Sequence, residues 1–159
     1  TGCDAEQTAK LMNQLGTEGH YTVTPEMKAK MADFCGGFAT EAEDAAAIRE
    51  LYDETGYVID THTGVASAVY QQYKKNTGDE TKTVIASTAS PYKFSRSVME
   101  AISDEKLPED EFAVIDELCR VSGVEIPKAV EEIRNAQIRH KLECDVQDMK
   151  KTVAKILGI

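Results

Sequence analysis

Two short clusters of side chains have the types and spacing to do chemistry. The first is Asp60-Thr61-His62-Thr63, a carboxylate, an imidazole and two hydroxyls within four residues. The second is Ser87-Thr88, two hydroxyls at the end of the apolar run Val84-Ile85-Ala86, followed at once by Ser90-Pro91. Each has an ordinary explanation. Asp60 can cap a helix that carries Thr61 and Thr63 in its first turn, and strand-end hydroxyls can satisfy backbone groups. Each also has a functional one: an imidazole at a helix start can hydrogen-bond a substrate, and hydroxyls at the carboxyl end of a strand lie where open α/β sheets place ligands. Other constellations are missing. Neither serine sits in G-x-S-x-G, and His20, His62 and His140 lack the i, i+4 pairing of helical metal ligands. No G-x-G-x-x-G and no phosphate loop ending in Gly-Lys-Ser/Thr occurs. Gly36-Gly37 reads as a helix stop, and the acidic run Glu41 to Asp44 as a solvated first turn.

Both clusters resemble one family. Asp60-Thr61-His62-Thr63-Gly64-Val65-Ala66 is similar to the D-P-H-T-A-V-A segment of threonine synthases, and Ser87-Thr88-Ala89-Ser90-Pro91-Tyr92-Lys93-Phe94 to their S-T-A-H-P-A-K-F. Order and gap match too. The resemblance is strongest over residues 37–99 and implies the carboxyl-terminal part of a bacterial-type threonine synthase. Those enzymes convert O-phosphohomoserine and water to threonine and phosphate. They are carbon–oxygen lyases of the type II pyridoxal phosphate fold. The resemblance implies that Thr88, or alternatively Ser87, meets the cofactor's pyridine nitrogen, and that His62 and Thr63 contact substrate. Lys93 matches the lysine of P-A-K-F; the family's cofactor-anchoring lysine lies elsewhere, in the amino-terminal half. That lysine and the Gly-rich phosphate cradle are expected before Thr1, so this chain by itself is expected to be inactive, with the amino-terminal portion as its partner. Thr61, Gly64, Ser90 and Tyr92 replace Pro, Ala, His and Ala of the family pattern, which removes any role for a histidine at position 90.

These clusters need elements to position them. A helix is expected after Asp4, broken at Gly16 to Gly19. Thr24-Pro25-Glu26 reads as cap, first-position proline and first-turn acid, and Met27, Met31 and Phe34 share one face up to Gly36. Thr40 and Glu43 have capping-box spacing, and Gly56 suits a helix end. Tyr57-Val58-Ile59 is a strand or extended piece. Asp60 starts a helix expected to bury Val65, Val69 and Tyr73. Val84 to Ser87 reads as a buried strand. Phe94, Val98 and Ile102 face inward on the next helix. Pro108 starts another, with Phe112, Ile115 and Cys119 on its face and Gly123 at its end. Pro127 opens a short helix to about Arg134. Alternating Ile138, His140 and Leu142 suggest a last strand, and a final helix over 146–157 is expected to bury Met149, Val153 and either Ile156 or Leu157.

The fold class expected is therefore α/β, helix-rich with few strands, in one domain over residues 1–159. Its net charge of −10 disfavours nucleic acid and anionic membranes as partners, and no apolar run approaches the ~20 residues of a membrane span. Four scattered cysteines without C-x-x-C fit reduced, cytoplasmic thiols. A different class of function also fits the acidic, capped helices: a non-catalytic interaction domain.

Overall fold

A computed structural model describes residues 1–159. Helices account for all the regular structure, and side-chain caps start most of the longer ones. Asp4 accepts from Gln7 N to open α1 (Ala5–Glu18), which continues through Gly16 and stops at Gly19. Thr24 accepts from Met27 N and Pro25 takes the first position of α2 (Pro25–Lys30). This helix is shorter than its apolar spacing suggests. Only Met27 is buried; Met31 and Phe34 lie beyond the last turn and face solvent. At α3 (Glu41–Thr55) the capping box forms in full: Glu43 N donates to Thr40 Oγ1 (3.3 Å) and Thr40 N to Glu43 Oε2 (2.7 Å). The bonds from Thr40 hold the Glu43 carboxyl below its usual value. Gly56 closes α3 at φ 72°, a left-handed conformation that costs glycine little.

Asp60 caps α4 (Thr61–Thr77), which packs against α3. The buried face is not the aliphatic one expected. Thr63, Gly64, Ser67 and Ala68 are buried, whereas Val65 is 37% exposed. Small residues win because the backbones come close: a Cβ on Gly64 would lie 2.0 Å from Asp44 Oδ1 and 2.8 Å from Ile48 Cγ1. Val69 and Tyr73 instead line a groove of about 560 Å³ between α4 and the extended residues Thr83 to Ala86.

After a 3-10 turn at Pro91–Phe94, α5 (Ser95–Ile102) crosses α3, and α6 (Glu111–Ser122) packs on α5. α6 starts three residues after Pro108, where Asp110 accepts from Ala113 N. Ile48, Val98, Met99, Ile102, Val114 and Leu118 form the centre of the core, with Val58 and Ile59 entering beneath it. Each such side chain contributes about 1.5–3 kcal/mol on burial. α7 (Lys128–Arg134) follows; Arg134 reaches back to Asp116 at 2.6 Å and lies over the Phe112 ring. A 3-10 turn at Val146–Asp148 leads into α8 (Met149–Leu157), which buries no residue: Met149 and Val153 are each more than half exposed.

The expected α/β class is corrected to helical. Val84 to Ser87 is extended but is not a strand. Between Asp79 and Ala89 the chain makes no backbone–backbone hydrogen bond, and Val84 is 91% exposed. A strand needs a neighbour 4.7–4.9 Å away, and the element beside this segment is a helix, α4. The expected last strand at Ile138 to Leu142 is also absent, for the same want of a neighbour, and both of those side chains are exposed.

Candidate functional site

The extended segment after α4 returns along that helix, and this return joins the two clusters. Asp60 sits at the junction. It is wholly buried, and every polar atom it meets is its own neighbour or a side chain within three residues. Oδ2 accepts the His62 backbone N–H (2.9 Å) and lies 3.2 Å from His62 Nδ1. Oδ1 accepts the Thr63 hydroxyl in a short bond. Thr63 Oγ1 in turn lies 3.0 Å from Ser87 Oγ, across 24 residues of sequence. A continuous polar chain therefore runs from an exposed imidazole, through a buried carboxylate and a buried hydroxyl, to an exposed hydroxyl.

The rest of the rim is contributed by the 3-10 turn. Ser90 Oγ accepts from Tyr92 N (3.3 Å), and Pro91 takes the first position. This places the Phe94 ring 5.2 Å from the His62 ring, tilted by 33°, with Lys93 Nζ 5.2 Å from the Phe94 centroid. Tyr92 points the other way, into the core; its hydroxyl donates to the Val124 carbonyl. Burial pushes the Tyr92 phenol above its usual value. Behind the site, Asp44 Oδ1 is buried against Gly64 without a hydrogen-bond partner. Burial, and secondarily the Asp60 charge, raise the Asp44 carboxyl, partly offset by His62.

Of the four residues expected at a site, three are placed together by hydrogen bonds: His62 and Thr63 through Asp60, and Ser87 through Thr63. Thr88 is adjacent, exposed, and free of intramolecular hydrogen bonds. Thr63 differs from the expectation in one respect. Its hydroxyl is buried and already engaged by Asp60 and Ser87. Asp60 and Phe94 are members that reasoning from spacing assigned only to a cap and a core face. Asp44, read as part of a solvated turn, is half-buried and packs against the α4 backbone.

The family's sequence model described as "Threonine synthase, C-terminal" matches residues 63–153. The chain belongs to this family. Over 101 residues it is 34% identical to the threonine synthase of Schizosaccharomyces pombe, covering 62% of this chain and 20% of that protein. Over 107 residues it is 30% identical to human "Threonine synthase-like 1", covering 67% of this chain and 14% of that protein. Among solved structures, it is similar to a pyridoxal phosphate-bound threonine synthase from Brucella melitensis, with 25% identity and a TM-score of 0.53 over 78% of this chain and 25% of the other. The chain thus spans only a small part of the relatives it matches. The helix-rich organisation of this chain fits a carboxyl-terminal part of the threonine synthase family.

The residues present fit one end of such a cofactor. Two adjacent exposed hydroxyls, one of them backed by a buried carboxylate through Thr63, suit a pyridine ring nitrogen, which takes a single hydrogen bond.

Proposed function

We propose that this chain supplies the pyridine-nitrogen side of a threonine synthase site, in a protein that converts O-phosphohomoserine and water to threonine and phosphate. The observation that carries this reading is the Thr63–Ser87 contact. It brings together the two motifs that match the family, and it does so beside an exposed imidazole. Pyridoxal phosphate, when bound, supplies the electron sink that makes proton removal beside the substrate amine accessible. Thr88 or Ser87 holds the ring nitrogen. His62, fixed at Nδ1 by Asp60 and against one side by Phe94, presents Nε2 to the substrate. Thr63 acts by holding Ser87 and not by touching substrate. The reading is supported by the family match and by the solved pyridoxal phosphate-bound relative.

The lysine that anchors the cofactor and the cradle for its phosphate are contributed by the amino-terminal portion of the same protein. The unpaired segment Thr83 to Ala86 and the apolar groove beneath it are where that portion docks, with a strand beside Val84 as the natural fit. The experiment is direct. The full-length protein containing this chain, loaded with pyridoxal phosphate, releases threonine and phosphate in equal amounts from O-phosphohomoserine. A loaded protein that releases neither overturns the reading. In that case the exposed apolar side chains Phe34, Phe38 and Val84 favour the non-catalytic interaction domain.

A further inference from the structure

The segment that returns along α4 is held in place by very little. From Asp79 to Ala89 no two backbone groups pair, and beyond Asp79 only Ile85 and Ala89 are half-buried, the rest being exposed. The groove beneath it is open, so apolar burial contributes little to holding it. Two side-chain hydrogen bonds fasten it, both to α4 and one at each end. At the far end the Thr63 and Ser87 hydroxyls lie 3.0 Å apart. At the near end the Tyr73 hydroxyl donates to Asp79 Oδ2 (2.8 Å). That end is also built up locally. The Thr77 hydroxyl donates to the Tyr73 carbonyl (2.8 Å), Asp79 N–H to Thr77 Oγ1 (3.1 Å), and Thr81 N–H to Asp79 Oδ1 (2.9 Å). The bonds from Thr81, and after them the one from Tyr73, hold the Asp79 carboxyl below its usual value. The bond to Asp79 raises the Tyr73 phenol.

Thr63 and Tyr73 stand about 15 Å apart along α4, at 1.5 Å per residue. Ala66, Val69 and Tyr70, between them, line the groove under the segment. The stretch from Asp79 to Ser87 spans at most about 26 Å when extended. Chain length therefore leaves about 10 Å of slack, and the two fastenings decide where along α4 the segment lies. We infer that the Tyr73–Asp79 hydrogen bond is a catch that directs the segment back along α4, and that Tyr73 and Asp79 are thereby positioning residues for the Ser87 hydroxyl at its other end. The catch acts on the chain's own geometry whatever meets Ser87, so its failure leaves the functional reading untouched.

The test reads the far end of the segment while changing only the near end. Tyr73→Phe removes the donor and leaves the ring and the Asp79–Thr81 turn in place. Amide spectra of the nitrogen-15-labelled chain are recorded by NMR, alongside the rate of trypsin cleavage after Lys82, which lies in the segment. In Tyr73→Phe the Ser87 and Thr88 amide signals move toward their unfolded-chain positions. Cleavage after Lys82 quickens by about tenfold, the change in open population that one hydrogen bond controls. The signals of Val114 and Leu118, buried in α6, stay in place. Asp79→Ala, which also frees the Thr81 N–H, has at least the same effect. Ser87 and Thr88 signals that do not move in either variant overturn the inference. So does a change that reaches Val114 and Leu118 to the same extent, because the hydroxyl then serves general stability and not the placing of Ser87.

Discussion

Gly64 is the point at which α4 touches α3, with room for a hydrogen and no more. A methyl group would overlap Asp44 Oδ1 at 2.0 Å and crowd Ile48 Cγ1 at 2.8 Å. Gly64→Ala is therefore expected to lower stability by about 1–3 kcal/mol. The loss should be smaller in an Asp44→Ala background, because the closest obstacle is gone; denaturant titrations of the four proteins measure that coupling. Asp44 itself makes the stability depend on pH. Its carboxyl is raised in the folded chain, by burial first and the Asp60 charge second. The folded state thus holds this proton more tightly than the unfolded chain, and Asp44 costs stability as pH rises above its ordinary value of 3.8 and through its folded value. Asp44→Asn is expected to be more stable than the wild type at neutral pH, with an advantage that fades in acid. Urea midpoints across that range check the sign. An advantage that grows in acid would show that the carboxylate is satisfied in solution.

At the scale of the element, caps were the most readable feature. Asp4, Thr24, Thr40, Asp60 and Ser90 all accept backbone N–H groups where their spacing places them. A cap is a local arrangement, complete within three or four residues, so the sequence contains all of it. The Thr63–Ser87 contact is not local, and nothing in the spacing of either motif shows that the segment after α4 doubles back. The apolar run Val84-Ile85-Ala86 was legible as extended but not as unpaired, because pairing is a property of what lies alongside. Amphipathic spacing misled for a related reason at α8, whose apolar stripe has no partner within the chain. That difference can be measured. Leu118, fully buried in α6, is expected to cost about 2–5 kcal/mol when changed to Ala. Val153, 52% exposed on α8, should cost no more than about 0.5 kcal/mol under the same change. Equal losses, measured by denaturation, would mean that α8 packs on the core in solution.

For the whole molecule, the core is confined to α3 through α6, while Phe34, Phe38, Val84, Ile138 and the α8 stripe remain exposed. Such a distribution fits a chain whose outer faces are covered by the rest of a larger protein. Under the proposed function the same division applies to the cofactor. A hydroxyl for the ring nitrogen contributes about 0.5–1.5 kcal/mol as one hydrogen bond, far too little to retain pyridoxal phosphate. Tight binding needs the covalent lysine and a set of backbone N–H groups around the phosphate, such as a helix start provides. Surface lysines such as Lys74 and Lys150 can react with the aldehyde, but without a defined stoichiometry. The most direct measurement is therefore equilibrium dialysis of this chain, and of the full-length protein containing it, against pyridoxal phosphate, followed by absorbance at the imine band. The expected result is one retained cofactor per full-length protein, responsive to O-phosphohomoserine, and no stoichiometric retention by the chain by itself. One equivalent held by the isolated chain through dialysis, with a spectrum that changes on adding O-phosphohomoserine, would contradict the assignment of this chain to one side of a shared site.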